Sequence, residues 1–259
     1  MNTTASLYNR PSALHVIHAY SKSWAAPIDR MPPRLNEATS CAYLCMRAID
    51  EIEDHPNLSV GNKARMLRSV SHILQTPFES SDFQNAFKGF ESTLPDVTLR
   101  LGEWAELAPR DIAPRIWETF ASMAERMAQW AEQNWLIQTK RDLDEYTYAV
   151  AGVLVLLLSD LWCWFDHTHT NRAHAISYGR TLQATNILID RVIDEGRGVD
   201  FWPKGWKLSQ MLAYVKDELQ PAHAYVETLP QICPARDFCE QPLRNACCAI
   251  EQLGLELDR

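Results

Sequence analysis

Glycine is scarce, with nine in 259 residues, and none of it forms a glycine-rich phosphate turn between a strand and a helix. Strand signals are scarce too. There are few alternating β-branched runs and no Asn-Gly or Asp-Gly turn between apolar segments, which excludes hairpin-built and βαβ-built folds. No Cys-x-x-Cys pair occurs among the seven cysteines, Cys41, Cys45, Cys163, Cys233, Cys239, Cys247 and Cys248. They read as reduced core thiols rather than a disulfide framework or zinc site. A chain of this length buries roughly 70 to 75% of its unfolded surface and needs neither device to hold a core.

Positive charge is also short. Twenty-five Lys and Arg against 33 Asp and Glu leave a net charge of −8, the wrong sign for holding nucleic acid by phosphate neutralisation. The longest uninterrupted apolar run, Ala149 to Leu158, stops at Ser159 and Asp160. That is about half of what spans a bilayer, so a core helix and no transmembrane segment are expected. The N-terminus has no basic stretch leading into an apolar one, so no signal peptide is read there and a cytoplasmic location is expected.

What remains is helical periodicity. Helices are expected over about 11–24, 35–54, 60–76, 81–92, 113–140, 143–165, 171–194, 204–218 and 235–257, separated by proline and polar clusters. With no low-complexity linker and no repeat, residues 1–259 read as one all-α domain with the apolar helix 146–165 at its centre.

Two acidic rows carry chemistry. Asp50 and Asp54 stand four apart in Arg47-Ala-Ile-Asp50-Glu-Ile-Glu-Asp54. On a helix both carboxylates project from one face, about 6 Å apart along the axis. Glu51 and Glu53 fall elsewhere on the wheel. Alone, the row is most simply a solvated helix end. In the second, Asn186, Asp190 and Asp194 recur at i, i+4 and i+8 among Leu182, Ile187, Leu188, Ile189, Val192 and Ile193. Carboxylates wedged into such an apolar face are costly unless paired or metal-bound. Mg²⁺ takes oxygen ligands and commonly bridges one or two carboxylates to phosphate oxygens, so two facing acidic helices suit a diphosphate.

These landmarks resemble the squalene/phytoene synthase family, in order along residues 20–203. Tyr20-Ser21-Lys22-Ser23-Trp24 is similar to the family's His-Ser-Lys-Ser-Phe segment. Pro32, Tyr43, Arg47, Asp50 and Asp54 follow at the family's spacing. Tyr146-Thr-Tyr-Ala-Val-Ala-Gly152 resembles its YCYxVAG helix, and Leu182-Gln183-Ala-Thr-Asn186-Ile-Leu-Ile-Asp190-Arg-Val-Ile-Asp194 its LQxTNILRDxxED motif. The resemblance implies an isoprenoid-synthase helical bundle around a central apolar cavity. It implies Mg²⁺ at Asp50, Asp54, Asn186, Asp190 and Asp194, and diphosphate contacts from Ser21, Ser23 and Arg47. Tyr43, Gln183 and Trp24 join the substrate-binding set, and Tyr146 would stabilise an allylic cation through its ring.

The departures narrow the expectation. Ile189 and Val199 stand where the family has arginines, and Phe201 where it has tyrosine. Val155 replaces a glycine, so the tunnel should be shorter or blocked. Lost diphosphate contacts and lost volume suit a single prenyl donor. The chain thus looks like the divergent squalene-synthase-like enzymes that transfer a short prenyl group, C5 favoured, to an aromatic small molecule such as a carbazole quinone. The competing expectations are head-to-head phytoene or presqualene synthesis, terpene cyclisation, and a non-enzymatic binding protein with an inherited fold. Five aligned polar groups in apolar helices oppose the last. Arg191 reads as a salt-bridge partner or a diphosphate contact. Trp117, Trp130 and Trp135 are expected on one helix, mostly as packing, and Asp166-His167-Thr-His169 and the cysteines are not expected to bind metal or act as nucleophiles.

Overall fold

The structure, a computed structural model, describes residues 13–21 and 23–257, with no strand among them. Lys22 of the serine segment, and residues 11 and 12 of the first expected helix, lie outside that set. The all-α class holds. The chain divides into two compact units between Glu132 and Gln133.

The first unit carries α1 (13–20), α2 (Ala25–Asp29), α3 (Pro33–Glu53), α4 (Val60–Leu74), α5 (Ser80–Ala86), α6 (Asp96–Leu99), α7 (Leu101–Ala105) and α8 (Ala113–Glu132). Its main packing runs along α4 and α8, with α3 against α6, α7 and α8. Pro33 opens α3, where a missing N–H costs nothing. Lys63, buried, donates its ammonium to the carbonyl of Glu53 at the other end. A cation there complements the helix dipole and anchors the end that bears Asp50 and Asp54. Ser59 caps α4 by accepting from the N–H of Asn62 at 3.3 Å.

The second unit carries α9 (Lys140–Thr147), one π-helical turn (Tyr148–Gly152), α10 (Val153–Asp166), α11 (Arg172–Ile189), α12 (Arg191–Gly196), α13 (Leu208–Glu227) and α14 (Pro234–Leu257). The π turn lies inside the apolar stretch, and such turns concentrate at functional sites. The span Lys140–Asp166 is long and apolar enough to cross a membrane by length and composition, but 56% of its most apolar window is buried. It packs against α11, the element that also contacts α13 and α14, as a core helix does. Thr139 and Asp142 form a capping box at the start of α9, Asn171 caps α11 by accepting from Ala173 and His174 N–H, and His167 ends α10 in the left-handed region at φ 62°.

Several expected boundaries move. The helix expected over 113–140 stops at Glu132, and Trp135 lies beyond it with φ 50°, beside Asn134 at 52°. The helix expected over 204–218 starts at Leu208 and continues through Pro221, and α14 continues through Pro242. Each proline forfeits one ladder bond, which packing of the surrounding turns offsets. The helix expected over 171–194 breaks at Asp190. The cysteines are all free, but only Cys41, Cys45 and Cys239 are buried, so the expectation of core thiols fails for the other four.

Gly179 sets how closely α11 approaches the π turn. A Cβ there would stand 2.8 Å from the carbonyl of Ala151 and from Cα of Gly152, closer than real Cβ atoms come to backbone. A Cβ at Gly61 of α4 would meet nothing within 4 Å. Gly179→Ala should therefore lower unfolding free energy by about 1–3 kcal/mol, while Gly61→Ala should raise it by roughly 0.5–1 kcal/mol through helix propensity. Urea titrations of both variants check this, and equal effects would contradict the close approach.

Candidate functional site

In the first unit the expected diphosphate-binding residues converge on α3. Tyr43, Arg47 and Asp50 follow one another at helical spacing, and Asp54 caps the helix, its N–H bonded to the carbonyl of Asp50 at 2.9 Å. Arg47 Nη1 donates to Asp50 Oδ2 at 3.0 Å and Nη2 to Glu51. Its guanidinium lies over the Tyr20 ring, 5.3 Å from the centroid. Burial opposes the Arg47 charge, but Asp50 and Glu51 more than offset it and raise its pKa. Tyr43 is buried and bonded to Ser21; burial above all pushes its hydroxyl up, so it stays protonated. Ser21 Oγ also accepts from the N–H of Trp24 at 2.9 Å, so a neutral polar row of Ser21 and Tyr43 leads into Arg47 and Asp50. Ser23 and Asp54 are exposed, and Trp24 is half-buried.

The second acidic row is different from what its apolar neighbours suggested. Asn186 is exposed, Asp190 half-buried and Asp194 buried. Their backbones stay in register: the N–H of Asp190 bonds to the carbonyl of Asn186 at 2.8 Å, and that of Asp194 to Asp190 at 2.9 Å. Beyond the break at Asp190 the apolar residues of α12 face outward, and Ile189, the last residue of α11, is exposed as well. Ile189, Val192 and Ile193 are 54%, 81% and 64% exposed, which corrects the expectation that they wedge the row into a core. Asp194 is instead neutralised by Arg197, one turn on. Gln183 is half-buried on α11 and Val155 buried on α10. Tyr146 is buried at the end of α9 and stacks on Phe201, with ring centroids 4.7 Å apart and planes 19° apart.

Sequence spacing missed several partners. Tyr20 and Glu51 converge on Arg47, and Arg197 on Asp194; Arg47–Glu51 at i, i+4 and Asp194–Arg197 at i, i+3 are visible in principle from spacing. The Cys247 thiol lies 3.5 Å from Nε2 of His223. Burial and then Glu251 push that thiol up, away from the thiolate a nucleophile needs.

Asp50 and Asp54 in the first unit, and Asn186, Asp190 and Asp194 in the second, each supply only amide and carboxylate oxygen, the donor type of a hard divalent cation. Among the described residues no three His, Cys, Asp or Glu draw together closely enough to hold an ion by themselves. The donor chemistry of the individual side chains, oxygen throughout, is of the kind that Mg²⁺ accepts.

Comparison with known proteins identifies the family. The family model described as squalene/phytoene synthase matches residues 17–229. The squalene synthase of Rattus norvegicus is 28% identical over 206 residues, covering 76% of this chain and 48% of its own. That of Saccharomyces cerevisiae is 29% identical over 231 residues, covering 83% and 51%. The chain thus spans about half the length of these curated relatives. A solved complex of TcSQS with the ligand BPH1237 superposes with a TM-score of 0.76 at 19% identity, over 95% of this chain and 79% of that one. A dehydrosqualene synthase in complex with ligand gives 0.55 at 20% identity, over 98% and 86%. These two share the fold.

The Asp194 carboxylate has 8% of its side chain exposed and Arg197 has 34%. Arg197→Met should therefore cost about 1–3 kcal/mol, because it leaves a buried charged acceptor without its cation. Adding Asp194→Asn should recover part of that loss. Urea unfolding measures both, and a loss under about 0.5 kcal/mol would mark the pair as an ordinary surface bridge.

Proposed function

Because this chain belongs to the squalene/phytoene synthase family, we propose that it is a prenyltransferase that ionises a short allylic diphosphate, C5 favoured, and transfers the prenyl group to an aromatic small molecule such as a carbazole quinone. The observation that carries the ionisation step is the pairing of each acidic row with an arginine one turn away, Arg47 on Asp50 and Arg197 on Asp194. Such sets offer oxygen to a cation and guanidinium to a phosphate.

In this proposal Asp50, Asp54, Asn186, Asp190 and Asp194 hold divalent cations, with Mg²⁺ the ion of choice, and Ser21, Ser23 and Arg47 contact the diphosphate. Bound divalent ions would supply the positive charge that stabilises the departing diphosphate. Arg47, already surrounded by Tyr20, Asp50 and Glu51, has its orientation fixed before substrate arrives. Tyr146 presents its ring to the allylic cation, and Phe201 stacked beside it fixes the plane of that ring. Gln183 and Trp24 take their places in the substrate-binding set, and Val155 limits donor length. The exchange of charged for apolar residues at Ile189 and Val199, and of tyrosine for Phe201, supports an acceptor that lacks a second diphosphate.

The likeness to squalene synthases favours a second reading, head-to-head condensation of two long prenyl diphosphates. Mass spectrometry of reactions with C5, C10, C15 and C20 allylic diphosphates, each alone and with aromatic acceptors including carbazoles, separates the two. A prenylated aromatic formed only when both partners are present is the expected result. A C30 or C40 hydrocarbon, or presqualene diphosphate, from donor alone would establish the second reading, and a C15 or C20 cyclic hydrocarbon would establish cyclisation. Val155→Gly should shift donor preference toward longer chains; an unchanged preference would remove Val155 from the specificity set.

A further inference from the structure

The strap after α12 is tied down residue by residue. The N–H of Val199 bonds to the carbonyl of Asp194 at 3.0 Å. Asp200 folds back on its own loop, Oδ1 accepting from the N–H of Trp202 at 3.0 Å. Phe201 stacks on Tyr146, and the N–H of Lys204 reaches the carbonyl of Gln138 at 3.2 Å. The strap thus runs from the turn that bears Asp194 to the residues just before α9.

One side chain closes it. The Arg191 guanidinium lies 3.9 Å from the centroid of the buried Trp202 ring, pairs through Nη2 with Asp200 Oδ2 at 3.4 Å, and through Nε with Glu195 at 2.9 Å. A stacked guanidinium between two carboxylates is held on several sides, a geometry that lysine cannot reproduce. Arg191 also follows directly on Asp190, at the point where α11 gives way to α12. Holding the guanidinium therefore holds the backbone of the break.

We propose that Arg191 is a positioning residue: by clamping Asp200 and Trp202 it fixes the broken turn that carries Asp190 and Asp194. This rests on those two carboxylates serving a divalent cation, as the proposed function has it. Partners that orient metal-binding carboxylates are worth about 10- to 100-fold in metal affinity. Of the two roles open to Arg191 from sequence, its pairing with Glu195 and Asp200 favours the salt-bridge partner.

The experiment titrates Mn²⁺ into the full chain with inorganic diphosphate present, reading free Mn²⁺ by electron paramagnetic resonance, and follows amide hydrogen exchange over 197–206. Arg191→Met and, separately, Trp202→Leu should each raise half-saturating Mn²⁺ about tenfold or more and speed exchange of the strap. Arg191→Lys should fall between Met and wild type. Normal Mn²⁺ uptake with a loosened strap overturns the positioning role, and so does a strap that keeps its protection in Arg191→Met. Weakened uptake in Arg191→Met but not in Trp202→Leu would make Arg191 a direct ligand contact and overturn it equally. Failure of the wild-type protein to take up Mn²⁺ with diphosphate would be seen before any variant, and would overturn the metal-dependent function together with the inference built on it.

Discussion

Carboxylates held beside apolar helices must be neutralised, and much of this structure follows from how that is done. Arg47 meets Asp50 and Glu51 on α3, and Arg197 meets a buried Asp194 on α12. In both cases the counter-charge comes from three or four residues away along the chain, so Asp50, Glu51 and Asp194 are paired before any ligand arrives. Taking an unpaired carboxylate out of water costs several kcal/mol. A local arginine avoids that cost.

Backbone geometry then determines where those charges stand. Lys63 ties off the end of α3, so Asp50 and Asp54 lie on a fixed helix terminus. In the second unit Gly179 lets α11 come to within backbone contact of the π turn, and the strap through Phe201 joins Tyr146 to the same helix-and-break that carries Asp190 and Asp194. Bulk at Gly179 would displace one of these elements from the other. The π turn itself adds a residue to the run Tyr148–Gly152 and so re-aims the apolar side chains that follow it on α10.

Much of this was legible in the sequence. Helical periodicity gave the all-α class, and the four-residue spacing of Asp50 and Asp54 survives unchanged because α3 is a single uninterrupted helix. The second row misled. Ile189, Val192 and Ile193 satisfy a core pattern, but Ile189 ends α11 exposed, and beyond the break at Asp190 Val192 and Ile193 of α12 face solvent while Asp194 does not. Nothing in residue type marks that break, since no glycine or proline stands there. Pro221 and Pro242 show the converse: both are breakers by local rule, and tertiary packing carries a helix through each. Tyr20 over Arg47, Arg191 over Trp202 and Cys247 beside His223 are contacts across turns or between helices, and periodicity within one element carries no information about them.

On the proposed reading the chain ionises an allylic diphosphate, and the residues that depart from the family's motifs bear on what receives the cation. On that reading, Ile189 and Val199 in place of charged side chains would remove help for a second diphosphate and leave the proposed oxygen donors for the first. The central claim is therefore that ionisation is intact. The direct measurement is diphosphate release from a C5 allylic diphosphate, followed by phosphorus NMR with Mg²⁺ present, then with the metal withdrawn by chelator, in wild type and Asp190→Asn. Release that stops on chelation, resumes with Mg²⁺ and falls by about a hundredfold or more in the variant is the predicted result. Release that ignores both the metal and Asp190 would contradict it.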